Sequence, residues 1–303
     1  MFPRTAEVLS SVGYFCVENN SDIWYNVLEM NKSEFTGGNE NTMLKQKYRM
    51  ICLLLALSVL LTACGRMDDH SGASSSDSSS SESEVISTRE GFSIHEISDD
   101  LFERMQAGNT YKEDCIVPRE DLRYLLVLHK DKDGNTHQGE MVVHKLIAED
   151  VLEIFEKLYD ANYPIERMVL PDNYMADDET MMRDNNSSCF NFRFISHTTK
   201  VSKHGLGMAV DINTLYNPYH KIVTNEDGTS EEVIEPATGE PYLDRTLEFE
   251  YKIEKDDLCY QLFTEKGFEW GGDWTDRKDY QHFELPTEIT DKYSEMYASR
   301  AKS

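Results

Sequence analysis

SKHGLGMAVDIN, residues 202–213, sets an aspartate, Asp211, inside a short apolar run behind a histidine and two glycines. Burying a carboxylate between Val210 and Ile212 is costly unless a partner offsets its charge. Gly205 and Gly207 free the backbone to curl, which can bring His204 to the same point as Asp211. A second stretch, GFEWGGDWTDRKDYQHFEL (267–285), carries Asp279 three residues before His282. Together the two segments offer two imidazoles and two carboxylates, the donor types of a three-ligand zinc site with an open fourth position. A cation there would compensate Asp211. Asp279 would then stand beside the metal, where a general base for water belongs. Glu284 competes for that role, because on a strand it shares the face of His282. Spacing alone leaves a structural alternative open: His204 capping a turn, and Asp211 paired with Arg193 or Lys203.

Around these segments the chain shows mixed helix and strand signals. VLEIFEKLYDANY (151–163) has helical apolar spacing with Asp150 as a cap, and residues 256–263 suit a helix stopped by Gly267. Strands are expected at 165–170, 190–195, 209–212 and 282–285, with a loop or short helix at 174–183. Helices and strands do not alternate regularly, and no phosphate-binding glycine motif is present. The expectation is an α+β domain with a small, largely antiparallel sheet.

The N-terminal part reads differently. MLKQKYRMICLLLALSVLLTACG (43–65) has a basic flank, a short apolar run and small residues before Cys64. That is a secretory signal pattern, too short for a comfortable membrane span, and its end resembles a bacterial lipobox in which Cys64 becomes lipidated. Met43 is then the expected initiator, with residues 1–42 a misassigned start or an extension. Residues 65–91, rich in serine and acidic groups, are expected to form a flexible tether, and 92–303 the folded domain, with a core at about 115–286. The formal net charge of -26 argues against nucleic acid and against electrostatic adhesion to anionic lipid. The membrane would be met through the anchor alone.

Six cysteines are present. Cys16, Cys52 and Cys64 fall outside the expected mature fold, and Cys115, Cys189 and Cys259 match no metal-binding spacing. His129, His137, His144, His197 and His220 lie outside the two motifs and are expected to be core or surface residues. Trp270 and Trp274 suit packing, or the walls of a cleft that grips a glycan or peptide.

The ordered motifs YPIERMVLPDNY (163–174), NNSSCFNFR (185–193), SKHGLGMAVDIN, LYNPY (215–219), EPATGEPYLDR (235–245) and GFEWGGDW…DYQHF resemble the VanY-type D-alanyl-D-alanine carboxypeptidases. That group of zinc peptidases also includes L-alanyl-D-glutamate endopeptidases. The likeness implies the hedgehog/DD-peptidase fold, with zinc in a surface cleft, one ion per domain, and His204, Asp211 and His282 as its ligands. It further implies Asp279 as catalytic base, Arg193 on a substrate carbonyl or developing oxyanion, and Ser202 as a support near His204. Peptidoglycan stem peptides are the implied substrate, met at the outer face of the cell membrane or its periplasmic side. Either a D-alanyl-D-alanine carboxypeptidase, an L-alanyl-D-glutamate endopeptidase or a non-catalytic peptidoglycan-binding module is compatible with the motifs. One departure is Thr214, where many relatives carry proline.

Overall fold

A computed structural model describes residues 86–195, 198–225 and 227–300. The signal-like segment at 43–64 with Cys64, most of the tether, and His197 lie outside the described residues.

Four antiparallel strands, β1 (Ile86–Arg89), β2 (Phe92–Glu96), β3 (Leu122–Lys130) and β4 (Thr136–His144), form the first sheet in the order β1-β2-β3-β4. Pairing therefore begins at Ile86, inside the stretch that composition assigns to the tether. Along β3, Leu125, Val127 and His129 are buried at alternate positions, the period of a strand with one face on a core. Helix α1 (Asp99–Ala107) follows β2, and its Ser98 cap accepts the Leu101 N–H. Helix α2 (Ala148–Asp160) lies against β2 and β3 and buries Val151, Leu152, Ile154, Phe155 and Leu158. It starts before Asp150, so that residue is not the cap. Asp150 sits in the first turn, where a carboxylate is favoured by the helix dipole, and pairs with Lys266 at 2.8 Å.

Two smaller sheets carry the motif residues. Strands β5 (Ala209–Asp211), β8 (Glu269–Trp270) and β10 (His282–Glu284) form one, with β10 central. Strands β6 (Tyr219–Thr224), β7 (Ser230–Glu235) and β9 (Lys278–Asp279) form the other, with β6 central. Every ladder is antiparallel. The described residues are thus α+β, with three small sheets rather than one. Helices α3 (Asp178–Arg183), α4 (Leu258–Glu265) and α5 (Thr287–Arg300) complete the element order. Asp257 caps α4, and Gly267 follows it at φ +85° as the stop signal anticipates.

Two expected strands are not strands. Residues 165–170 bury Ile165, Met168 and Leu170, but their backbone bonds go singly to neighbours, Ile165 N to Lys130 O at 2.7 Å and Glu140 N to Met168 O at 2.9 Å. Residues 190–195 bury Phe190 and Phe192 as the alternation predicts, yet Phe190 N donates to Val142 O and Phe192 N to Thr110 O. These partners lie on different segments, so no ladder propagates, and the intervening Asn191 is buried as well.

Candidate metal centre

The centre is built at the junction of β5, β10 and the short 3-10 turn His204–Leu206. Asp211 ends β5 and is directly opposite His282, the first residue of β10. Residues facing each other across an antiparallel pair project to the same side, so the pairing itself brings the two together. Phe283 points to the opposite face, where its ring stacks on Phe263 with centroids 4.4 Å apart. That core contact fixes which face of β10 turns to the site. His204 comes from the turn, which ends at Gly207 with φ +69°. A Cβ at Gly207 would stand 2.8 Å from His144 N, so glycine is required twice over, for the left-handed backbone and for the close approach.

Three ligand atoms converge. His204 Nε2 is 3.1 Å from Asp211 Oδ2 and 3.1 Å from His282 Nδ1, and His282 Nδ1 is 2.9 Å from Asp211 Oδ1. Tetrahedral ligands about 2.0 Å from a zinc ion stand about 3.3 Å apart, close to these separations. The remaining ring nitrogens are committed elsewhere. His204 Nδ1 donates to the Cys189 carbonyl at 2.8 Å, and His282 Nε2 donates to Glu284 Oε2 at 2.9 Å. Each acceptor fixes the tautomer that directs the other nitrogen's lone pair into the cluster, the arrangement that orients histidine ligands in metal sites. Among the described residues this is the one group of three or more such side chains whose ligand atoms close to within 4.8 Å. Donor chemistry, spacing and tautomers therefore fit a zinc ion held by His204, Asp211 and His282.

Electrostatics agree. With no cation at the cluster, burial would lower the His282 pKa, but the bonds to Asp211 and Glu284 outweigh it and raise it to about 10. Burial alone would push the Asp211 carboxyl up, but the two imidazoles hold it well below its ordinary range. Zinc must take the place of the proton on His282 Nδ1. Because the bonds to Asp211 and Glu284 favour that proton, zinc uptake is expected to release protons and apparent affinity to weaken as pH falls. Zinc titrations at several pH values check the direction; affinity that strengthens as pH falls would contradict it.

Asp279 comes to the site on β9. Its Oδ1 is buried without a hydrogen-bond partner, and burial, reinforced by the Asp211 charge and opposed by His282, pushes its carboxyl up to about 7. A buried orphan acceptor beside a cluster of cation ligands marks a place where a donor is expected. Gly271 makes the approach possible, because a Cβ there would lie 2.5 Å from Asp279 O and 2.7 Å from its Cβ. Gly271→Ala is expected to displace β9, to cost roughly 1–3 kcal/mol of stability by overpacking, and to lower turnover with zinc content unchanged. Thermal melting and elemental analysis check it, and full activity in the variant would show that the close approach is dispensable.

The other expected site residues fall into two groups. Trp274 stands at the centre, its ring 5.6 Å from that of His282 and covered by the Arg277 guanidinium at 4.3 Å. Trp270 is packed in the core instead, its Nε1 donating to Tyr280 O at 2.9 Å. Arg193 lies beside the His204 turn through its backbone, whose carbonyl accepts the Ser202 N–H at 2.9 Å; its Nε is 2.7 Å from Asp178 Oδ2 on α3. Ser202 is buried at the base of the turn, and its carbonyl accepts the Leu206 N–H at 3.1 Å. Glu284 is occupied by His282 and by Lys203 Nζ at 2.7 Å, which hold its carboxyl below the ordinary value against the opposing effect of burial. That commitment separates it from Asp279. Thr214 uses its hydroxyl to bind the carbonyls of Met182 and Asn186, both at 3.1 Å. Cys115, Cys189 and Cys259 are free thiols. His129 and His144 are buried, whereas His137 and His220 pair with carboxylates near the surface.

Sequence reasoning missed the Cys189 carbonyl and Asp178, and it weighed Lys203 only as a partner of Asp211, whereas the structure pairs it with Glu284. A backbone carbonyl leaves no signal in residue type, and the Lys203–Glu284 pair is separated by 81 positions. Only the position of Glu284, two residues beyond His282 on a strand, hinted at its contact with that ring.

Residues 196–285, which hold His204, Asp211, His282 and Asp279, match the family model described as D-alanyl-D-alanine carboxypeptidase. No curated protein and no solved structure matched the chain. The match supports a peptidase, of a family in which zinc dependence is usual.

Proposed function

We propose that the protein is a zinc peptidase that removes the terminal residue from peptidoglycan stem peptides, a D-alanyl-D-alanine carboxypeptidase of the hedgehog/DD-peptidase fold. The observation that carries this proposal is the convergence of His204 Nε2, Asp211 and His282 Nδ1 beside the unpartnered Oδ1 of Asp279. Zinc bound by the three ligands would acidify water and polarise the scissile carbonyl. Asp279 accepts the water proton and passes it to the departing amine. Arg193, steadied through Nε by Asp178, offers its remaining nitrogens to the carbonyl oxygen as negative charge develops there. Trp274 walls the cleft beside His282. Across the third sheet, Asp279, Tyr219 and Glu235 are in register, so their side chains lie in one row leading away from the base. That row is the proposed bed for the peptide.

Mass spectrometry of muropeptides identifies the bond. Loss of one C-terminal alanine supports the carboxypeptidase; cleavage between L-alanine and D-glutamate would assign the endopeptidase activity instead, in keeping with the GFEWGGDW motif.

The leader at 43–64 supports an exported protein anchored by a lipid on Cys64. Cys64→Ser is expected to abolish detergent partitioning of the processed form. A cytosolic product that retains residues 1–42 would overturn both the anchor and the Met43 start.

A further inference from the structure

Lys203 precedes the first proposed zinc ligand and takes no part in the chemistry above, yet its side chain is largely buried. It donates to Glu284 Oε1 at 2.7 Å, to the Leu285 carbonyl at 3.0 Å and to Thr287 Oγ1 at 3.0 Å. The side chains of Lys203 and Glu284 are 11% and 12% exposed, so this is a buried ion pair. Its main chain is equally occupied, since the Lys203 carbonyl accepts Leu206 N at 3.2 Å and Met208 N at 2.9 Å and so forms the base of the His204 turn. One residue therefore joins the segment bearing His204 to the end of the strand bearing His282 and to the start of α5.

We propose that Lys203 is a positioning residue for the metal centre, acting through Glu284 on the ring of His282. The two carboxylate oxygens of Glu284 divide between partners, Oε1 to Lys203 and Oε2 to His282 Nε2. Three donors on the ammonium, each with its own acceptor, hold the carboxylate in one orientation. A carboxylate so held fixes the plane of the His282 ring by engaging its Nε2, which leaves Nδ1 facing the cluster. Without the ammonium, Glu284 would be a buried charge with one partner fewer, free to turn away from the ring or to draw in water. Outer partners of this kind typically govern metal affinity by about 10–100-fold.

This inference rests on the metal assignment, and its test reads metal binding rather than peptidase activity. Zinc is titrated into the chelator-treated full domain against a chromophoric competitor, and cobalt(II) is added separately to record its visible bands. Lys203→Met is expected to bind zinc about 10–100-fold more weakly and to shift the cobalt bands. Lys203→Arg, which keeps a cation facing Glu284, should recover most of the affinity. The double variant Lys203→Met/Glu284→Gln leaves no unpaired charge buried, so it remains informative if the single variant does not fold. Its zinc affinity should match that of Glu284→Gln alone, because Lys203 acts through Glu284. Losses that simply add in the double variant, or Lys203→Met binding within about threefold of wild type with unshifted cobalt bands, would overturn the proposal. A purely structural role would lower the melting temperature and leave the bands in place, and that result also overturns it. Wild-type protein that takes up no zinc would overturn the metal assignment together with this inference.

Discussion

Asp279→Ala is expected to lower hydrolysis of stem peptides by about 10²–10⁴-fold while the protein keeps its zinc. Two structural facts separate this residue from the ligands. It stands on β9, in a different sheet from Asp211 and His282, and its Oδ1 is buried with no partner. A general base must present a free acceptor to the water proton, and Glu284 does not, because both of its oxygens are taken. Asp279→Asn should fail in the same way, since an amide of the same shape cannot accept the proton. Asp279→Glu should keep part of the activity if the longer side chain fits beside Gly271. Zinc content by elemental analysis and turnover on purified muropeptides decide the matter. Wild-type turnover in Asp279→Ala, or loss of zinc as complete as in a ligand variant, would remove Asp279 from the role of base.

The second large effect is expected at the ligands. Alanine at His204, Asp211 or His282 should abolish stoichiometric zinc binding and bring activity to the level of the chelated enzyme. Each side chain would be one of only three protein donors, and a three-ligand site tolerates the loss of one poorly. The Asp211 variant should also be the least stable of the three when no metal is added. Its carboxylate lies between two imidazoles, and without it the proton on His282 loses its principal acceptor. Full metal occupancy in His282→Ala would exclude that residue as a ligand.

Two local spacings singled out the four central residues, but their roles came from the family resemblance and their convergence depends on the long-range pairing of β5 with β10. His204-x6-Asp211 needs only a turn closed by glycine and a short strand, and Asp279-x2-His282 needs only a tight turn between two strands. The apolar residues around Asp211 carried the information that its charge must be offset. Less visible was how the chain closes around them. The run at 165–170 and the alternation at 190–195 mark burial correctly, but burial does not specify a ladder, and here each backbone bond goes to a different segment. The first sheet went unassigned because β4 begins with four largely polar residues, THQG, and buries apolar residues consecutively at its end. A period of two is lost when both faces are covered. Trp270 and Trp274 are the same residue type four positions apart, and only tertiary packing assigns one to the core and the other to the site.

The most direct measurement is turnover of purified muropeptides, followed by mass spectrometry, with the soluble domain as isolated, after chelation, and after return of one equivalent of zinc. The account predicts release of a C-terminal alanine by the isolated protein, loss of that activity on chelation, and its recovery with zinc in the wild type but not in Asp279→Ala. Cleavage that persists after complete metal removal, or no cleavage of any stem-peptide bond by the zinc-loaded protein, would contradict it.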